Sequence, residues 1–129
     1  MATIKSYTDI EQSKKLAEIL PLESADYCWG IDDETLHYNS SPYPCAWKDY
    51  SCKEYYIPCW SLAALMKILH RNEEDIVSLS YGGYKDGEYI LNWCLDYEFE
   101  AGDYKKTFSD NPIDACVAMI EKLHELKLL

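Results

Sequence analysis

The feature that most constrains the fold is the stretch from Tyr89 to Phe99, in which every second side chain is large and apolar. Because successive side chains of a β-strand point to opposite faces, this alternation predicts one long strand with an apolar face. That face carries Tyr89, Leu91, Trp93, Leu95, Tyr97 and Phe99. The stretch 82–87 predicts a hairpin loop before the strand, and Gly102 marks a turn after it. Flanking strands at 76–81 and 104–108 complete a predicted antiparallel meander.

Three other segments have the patterns of helices. A capping-box spacing begins at Thr8, apolar residues recur at i, i+3, i+4 and i+7 from Leu62, and Asn111-Pro112 is a typical helix start. Together these signals predict helices over about 8–20, 59–70 and 112–127.

The order of the elements predicts an α+β protein, because strands joined by short turns form an antiparallel sheet that helices can cover. We expect a sheet of three to five strands, with the helices packed mainly on one face. The segments 35–39 and 53–57 are candidates for the additional strands, and the sequence leaves their pairing open. A length of 129 residues with 48% hydrophobic side chains predicts a single globular domain, residues 1–129.

The charge balance separates classes of partner. Twelve basic against 23 acidic residues give a formal net charge of −11. A field of that sign repels phosphates and anionic lipid surfaces, which disfavours direct binding to nucleic acid or to a membrane. It favours another protein with a basic surface as the partner.

The cysteines and the N-terminal sequence bear on the compartment. The first residues lack the apolar core of a signal peptide, and no apolar run reaches the length of a membrane span. We therefore expect a cytoplasmic protein whose six cysteines are reduced.

The stretch from Cys45 to Trp60 is unusual because three cysteines recur every seven residues among aromatic side chains. Prolines bracket it, which disfavours a helical seam. Structural zinc sites usually draw on cysteine pairs with two to four residues between them, and this stretch has none. Cys45, Cys52 and Cys59 are therefore only weak candidates for metal ligands. No cofactor is expected.

Two candidate binding surfaces follow from the pattern. Charged residues interrupt the cysteine stretch, so its aromatic residues form either an exposed contact patch or the margin of a core: Tyr43, Trp47, Tyr50, Tyr55 and Tyr56. The second surface is the polar face of the long strand, where Asp96, Glu98 and Glu100 alternate. Such a row is typical of the solvent-facing side of a sheet, and it would also suit a divalent cation or imitate nucleic-acid phosphates.

The sequence assigns no catalytic residue, since it contains no nucleophile elbow, zinc-protease helix or glycine-rich phosphate loop. Of the three histidines, His124 is expected at the edge of the core, His70 at the end of the second helix, and His37 in a weak strand. A small enzyme of the Cys/His or metal-dependent type is therefore a minor alternative.

Three stretches resemble a family of short uncharacterised proteins from gut Bacteroidales genomes and their phages and mobile elements. They are ATIKSYTDIEQSKKLAEILP, IPCWSLAALMKIL and DNPIDACVAMIEKLHELKLL, roughly half of the chain. The resemblance implies that the helices are a shared scaffold and that the sheet and the cysteine loop vary. It brings no activity, cofactor or site residue with it, and it implies an accessory or host-interaction role.

The predicted function is therefore a small acidic protein-binding or accessory module rather than an enzyme. Its expected contacts are the aromatic loop 43–60 and the acidic sheet face, with aromatic anchors giving affinity and charge steering a basic partner. One alternative is an inhibitor that mimics nucleic acid through its acidic row. The C-terminal helix would equally support a homodimer if its apolar face were free.

Overall fold

The computed structural model describes residues 5–31, 37–39, 41–45, 56–100 and 102–129. Within these ranges the elements follow the order α1 (Ile10–Ala17), a 3₁₀ turn (Leu22–Ser24), β1 (Tyr27–Gly30), β2 (Tyr43–Pro44), β3 (Tyr56–Cys59), α2 (Leu62–Leu69), β4 (Ile76–Lys85), β5 (Glu88–Glu98), β6 (Tyr104–Ser109) and α3 (Pro112–Glu125). The α+β class is confirmed. In the described ranges the strands form two antiparallel sheets of three strands each, rather than one larger sheet.

The chain divides into two compact units. The N-terminal unit comprises Ser6–Ala64, and the C-terminal unit comprises Leu65–Leu129 together with Lys5. In the described part of the chain, none of the helices combines the length and the apolar character that a membrane crossing requires.

The N-terminal unit is built around Thr8, which is fully buried. Its hydroxyl lies 2.8 Å from the Ser13 hydroxyl and accepts a hydrogen bond from the backbone N–H of Trp60 at 3.1 Å. Because Thr8 is engaged in this way, the helix cap moves by one residue to Asp9, which forms a capping box with Gln12. The cap predicted at Thr8 is therefore wrong by one position, and α1 is shorter than the predicted 8–20.

The sheet of this unit has the strand order β2-β1-β3. Cys59 pairs with Tyr27 as the last residue of β3, so the predicted helical start at residue 59 is wrong. Ser61 ends the extended segment, and its hydroxyl accepts from the backbone N–H of Ala64 at 3.2 Å, which caps α2. Of the two additional strands predicted, 53–57 overlaps β3 at Tyr56 and Ile57, and the described part of 35–39 contributes one bridge, between Tyr38 and Ile31. Residues 35–36 and 53–55 lie outside the described residues.

The C-terminal unit confirms the predicted meander, with the strand order β4-β5-β6. In the register, Leu79 faces Leu95, and Leu95 faces Thr107 on the next strand. Helix α3 packs against β5 and β6, capped by Asn111 and opened by Pro112 as expected. Its predicted apolar stripe is buried: Ile113, Cys116, Val117, Ile120 and Leu123. The helix ends at Glu125, before Lys127 adopts a left-handed backbone with φ 60°.

The hairpin loop predicted over 82–87 is much shorter in the structure. The strands continue to Lys85 and Glu88, so the turn consists of Asp86 and Gly87 alone. Both residues have positive φ, 52° and 83°, which matches the right-handed twist of the strands. Gly82 and Gly83 mark an irregularity inside β4, where the register shifts between Tyr81 and Gly83.

Candidate functional site

The predicted aromatic patch is only partly described. Tyr43 on β2 and Tyr56 on β3 are half-buried, and their rings meet edge to face with centroids 6.3 Å apart. Burial, together with hydrogen bonding to the Cys28 thiol, raises the pKa of Tyr43 well above its usual value. These two rings therefore help to fix the small sheet. Trp47, Tyr50 and Tyr55 lie outside the described residues, so their role as contacts stays a prediction.

Burial disfavours the thiolate form at three of the described cysteines, Cys45, Cys59 and Cys116. Burial raises the pKa of Cys45 and of Cys116 to about 12, and that of Cys59 to about 11. Because the thiolate is the reactive form, these positions hold little of it at neutral pH. Cys52 lies outside the described residues. Among those that are described, no three His, Cys, Asp or Glu side chains are grouped so as to hold a metal ion.

The histidines do not mark a site either. His124 is exposed, so its predicted position at the core edge is wrong. The apolar stripe of α3 passes through Ile120 and Leu123, and His124 follows on the solvent side. His37 and His70 are exposed as well.

The acidic row is interrupted by a lysine. Asp96 and Glu98 lie on β5, whereas Glu100 follows the end of the strand, where its backbone N–H donates to Asp75 at 3.1 Å. Lys106 lies directly opposite Asp96 on β6, and its Nζ is 4.0 Å from Asp96 Oδ2. A hydrogen bond with Glu74 raises the pKa of Glu100. The row is therefore partly neutralised and is not a regular ladder of three carboxylates.

The most exposed apolar surface of the described chain is the outer end of the β4–β5 hairpin. We call this the hairpin arm: Tyr81 to Lys85, the two-residue turn, and Glu88 to Trp93. Its exposed fractions are large for such side chains: Tyr81 59%, Tyr84 61%, Tyr89 55% and Leu91 68%. The predicted apolar face of the strand includes Tyr89 and Leu91, and the prediction that helices cover this face is wrong for both residues.

The arm is exposed because its neighbours end too early. Strand β6 pairs with β5 only as far as Trp93, which faces Ser109, and α3 begins at Pro112. A 14-residue helix spans about 21 Å, whereas an 11-residue strand spans about 36 Å. The outer part of β5 therefore pairs with β4 alone. A comparison of these two lengths was the signal in the sequence that could have identified the arm.

The rings of the arm are held by one another. Tyr81 contacts Trp93 with centroids 5.4 Å apart, and Tyr84 contacts Tyr89 at 5.1 Å, both in tilted, edge-on arrangements. Such pairs contribute about 0.5–1.5 kcal/mol beyond area burial. The arm therefore presents a partly preformed aromatic surface.

Comparison with known proteins returns no family model, no curated protein and no solved structure that matches this chain. Its function must therefore be inferred from its own residues and their arrangement.

Proposed function

We propose that this chain is a cytoplasmic protein-binding module that contacts a basic partner through the hairpin arm. The observation that carries the proposal is the exposure of four large side chains on one short hairpin: Tyr81, Tyr84, Tyr89 and Leu91. Contiguous apolar surface on a folded protein is typical of interaction sites, and tyrosine is enriched among the residues that dominate binding energy.

The ring contacts favour binding because they lower its entropic cost. Each side chain immobilised at an interface costs about 0.5–1.5 kcal/mol. On the arm, Tyr81 is already restrained by Trp93, and Tyr84 by Tyr89. A partner would therefore meet rings whose orientations are largely set.

Charge supports a basic protein as the occupant. The chain carries a formal charge of −11, and at the exposed tip of the arm the carboxylates of Asp86 and Glu88 outnumber the ammonium group of Lys85. Opposite charge on the partner would accelerate encounter and would make binding sensitive to salt. Free thiols at Cys28, Cys45, Cys59, Cys94 and Cys116 support a reducing compartment such as the cytoplasm.

The test is to capture a partner from host lysate, purify it, and measure its affinity for matched variants. Tyr81→Ser with Leu91→Ser removes two exposed arm side chains. The control, Ile76→Ser with Leu126→Ser, removes two exposed apolar side chains elsewhere in the same unit. We expect the arm variant to weaken binding by about tenfold or more, equivalent to about 1.4 kcal/mol, and the control to change it little.

Circular dichroism would establish that both double variants are folded. Equal weakening by the two variants, an acidic partner, or the absence of any protein that depends on the arm would contradict the proposal. Trp47→Ala extends the test to the predicted loop patch. If it loses the purified partner while remaining folded, then the contact surface includes the loop.

A further inference from the structure

The C-terminal unit contains a cavity of about 380 Å³ between the tip of the hairpin arm, β6 and α3. That volume lies at the lower end of the range for small-molecule sites. The cavity is lined by Tyr84, Lys85, Asp86, Tyr104, Lys106, Phe108 and Lys122. None of these residues belongs to the aromatic loop or to the acidic row identified from the sequence.

Three lysines from separate elements meet at this cavity: Lys85 from β4, Lys106 from β6 and Lys122 from α3. Asp86 contributes the only carboxylate among the lining residues. Screening limits electrostatic interactions in physiological salt to about 8 Å. A ligand inside the cavity would therefore respond to these nearby ammonium groups more than to distant acidic side chains, even on a chain of charge −11.

The three lysines of the cavity differ in how far internal contacts already engage their ammonium groups. The Lys106 ammonium is oriented by the Tyr84 carbonyl at 3.5 Å and by Asp96 at 4.0 Å, and it lies 5.5 Å from the centroid of the Tyr104 ring. In the part of the chain that the structure describes, Lys85 and Lys122 form no ion pair. Two of the three ammonium groups are thus available to an anion.

Aromatic side chains supply the rest of the lining. Tyr84, Tyr104 and Phe108 come from two strands, and they offer flat apolar surfaces beside the ammonium groups. Such a combination suits a ligand in which a charged group is attached to a planar ring, because the ring gains apolar contact while the charge meets the lysines.

We propose that this cavity binds a small molecule in which a phosphate-type anion is attached to a planar ring. Three separate ammonium donors match a group with three terminal oxygens, since each lysine acts as a point charge with its own hydrogen bonds. This role goes beyond partner binding by the arm, and its test uses lysines rather than the exposed apolar residues. The two proposals can therefore fail independently.

The experiment is a titration with phenyl phosphate, followed by ¹H–¹⁵N NMR of the full chain. Phenol and inorganic phosphate are titrated separately as the two halves of the probe. We expect phenyl phosphate to bind more tightly than either half and to shift the amide signals of residues 84–86, 104–108 and 122. The shifts should saturate, as they do for a defined site.

Matched double variants then assign the charges. Lys85→Gln with Lys122→Gln removes the two unpaired lysines of the cavity. Lys67→Gln with Lys105→Gln removes the same total charge at positions that do not line the cavity. We expect about a tenfold loss of phenyl phosphate affinity in the first variant and less than about a twofold loss in the second.

Any one of the following results would overturn the proposal. Equal affinity losses in the two double variants would show that only total charge matters. If inorganic phosphate bound as tightly as phenyl phosphate, the planar ring would contribute nothing to binding. If phenol bound as tightly as phenyl phosphate, the anion would contribute nothing. Shifts that never saturate, or that map to other residues, would exclude a site in this cavity.

Discussion

The two halves of β5 have the same alternation of apolar residues in sequence, but they differ in burial. The inner half follows Trp93, and the outer half precedes it. In the inner half, Leu95 is fully buried and Tyr97 is only 4% exposed. In the outer half, Tyr89 and Leu91 are more than half exposed, although they lie on the same apolar face. The difference is the cover: β6 pairs with β5 only from Trp93 to Glu98, and α3 packs on these two strands. Alternation therefore specifies the face of a strand, and the lengths of neighbouring elements decide which part of that face is buried.

The polar groups of the two halves differ in the same way. Near the inner half, the Thr107 hydroxyl donates to the Ala115 carbonyl at 2.7 Å, and the Tyr97 hydroxyl donates to Asp75 at 2.6 Å. These bonds satisfy groups that helix packing removes from water. On the arm, Tyr81 contacts Trp93 and Tyr84 contacts Tyr89, and the three tyrosines are more than half exposed. The inner half thus has the interactions of a core, and the outer half has those of an exposed surface.

The largest expected effect on stability is the difference between two leucine-to-alanine substitutions, one in each half of β5. Leu95→Ala leaves a cavity beneath α3 and should lower the free energy of unfolding by about 2–5 kcal/mol. Leu91→Ala removes side-chain atoms that are already in water, so it should change that free energy by no more than about 0.5 kcal/mol. Urea denaturation of both variants measures the difference. Similar losses would mean that the outer half is covered in solution and that the arm is not a free surface.

The second effect concerns the glycines of the hairpin arm. Gly82 has φ +100°, and a Cβ built there would clash with the hydroxyl of Tyr89. Gly87 has φ +83°, and a Cβ there would meet nothing within 4 Å. Alanine is strained at both positions, by about 1–2 kcal/mol, and only Gly82→Ala also displaces the Tyr89 ring.

We therefore expect Gly82→Ala to be the more destabilising of the two and to shift the NMR signals of the Tyr84 and Tyr89 rings. Gly87→Ala provides the control for backbone strain alone. Equal stabilities, with unchanged ring signals in the Gly82 variant, would contradict the close approach of Tyr89 to this bend. They would also weaken the argument that the arm's rings are preorganised.

The sequence predicted the elements better than their surroundings. Local signals identified the meander, the Asn111-Pro112 start of α3 and the buried stripe of that helix, because capping and periodicity act over a few residues. The cap at Asp9 instead of Thr8 depended on a hydrogen bond between Thr8 and Trp60, which are distant in sequence. The cavity lysines were missed for the same reason, since Lys85, Lys106 and Lys122 belong to three elements and form no sequence motif.

The smallest predicted effect is on the pH dependence of stability, and it concerns the hydrogen bond between Tyr97 and Asp75 in the inner half. Burial, followed by the hydrogen bond to Asp75, raises the pKa of Tyr97 to about 12. The folded chain thus holds the phenolic proton more tightly than the unfolded chain does. The stabilisation is therefore complete below about pH 10 and is lost as the pH rises toward 12.

Tyr97→Phe removes this hydrogen bond and should lower stability by about 1 kcal/mol at neutral pH. Because the variant has no phenol to ionise at this position, its stability deficit should shrink as the pH rises from about 10 toward 12. Urea denaturation across that range measures the narrowing. Tyr104→Phe removes an exposed hydroxyl of β6 and serves as the control for loss of a surface phenol. A Tyr97→Phe deficit that stayed constant with pH would mean that the Tyr97–Asp75 bond does not hold the proton in solution. The inner half would then owe its stability to apolar packing under α3 and to the hydrogen bond between Thr107 and Ala115.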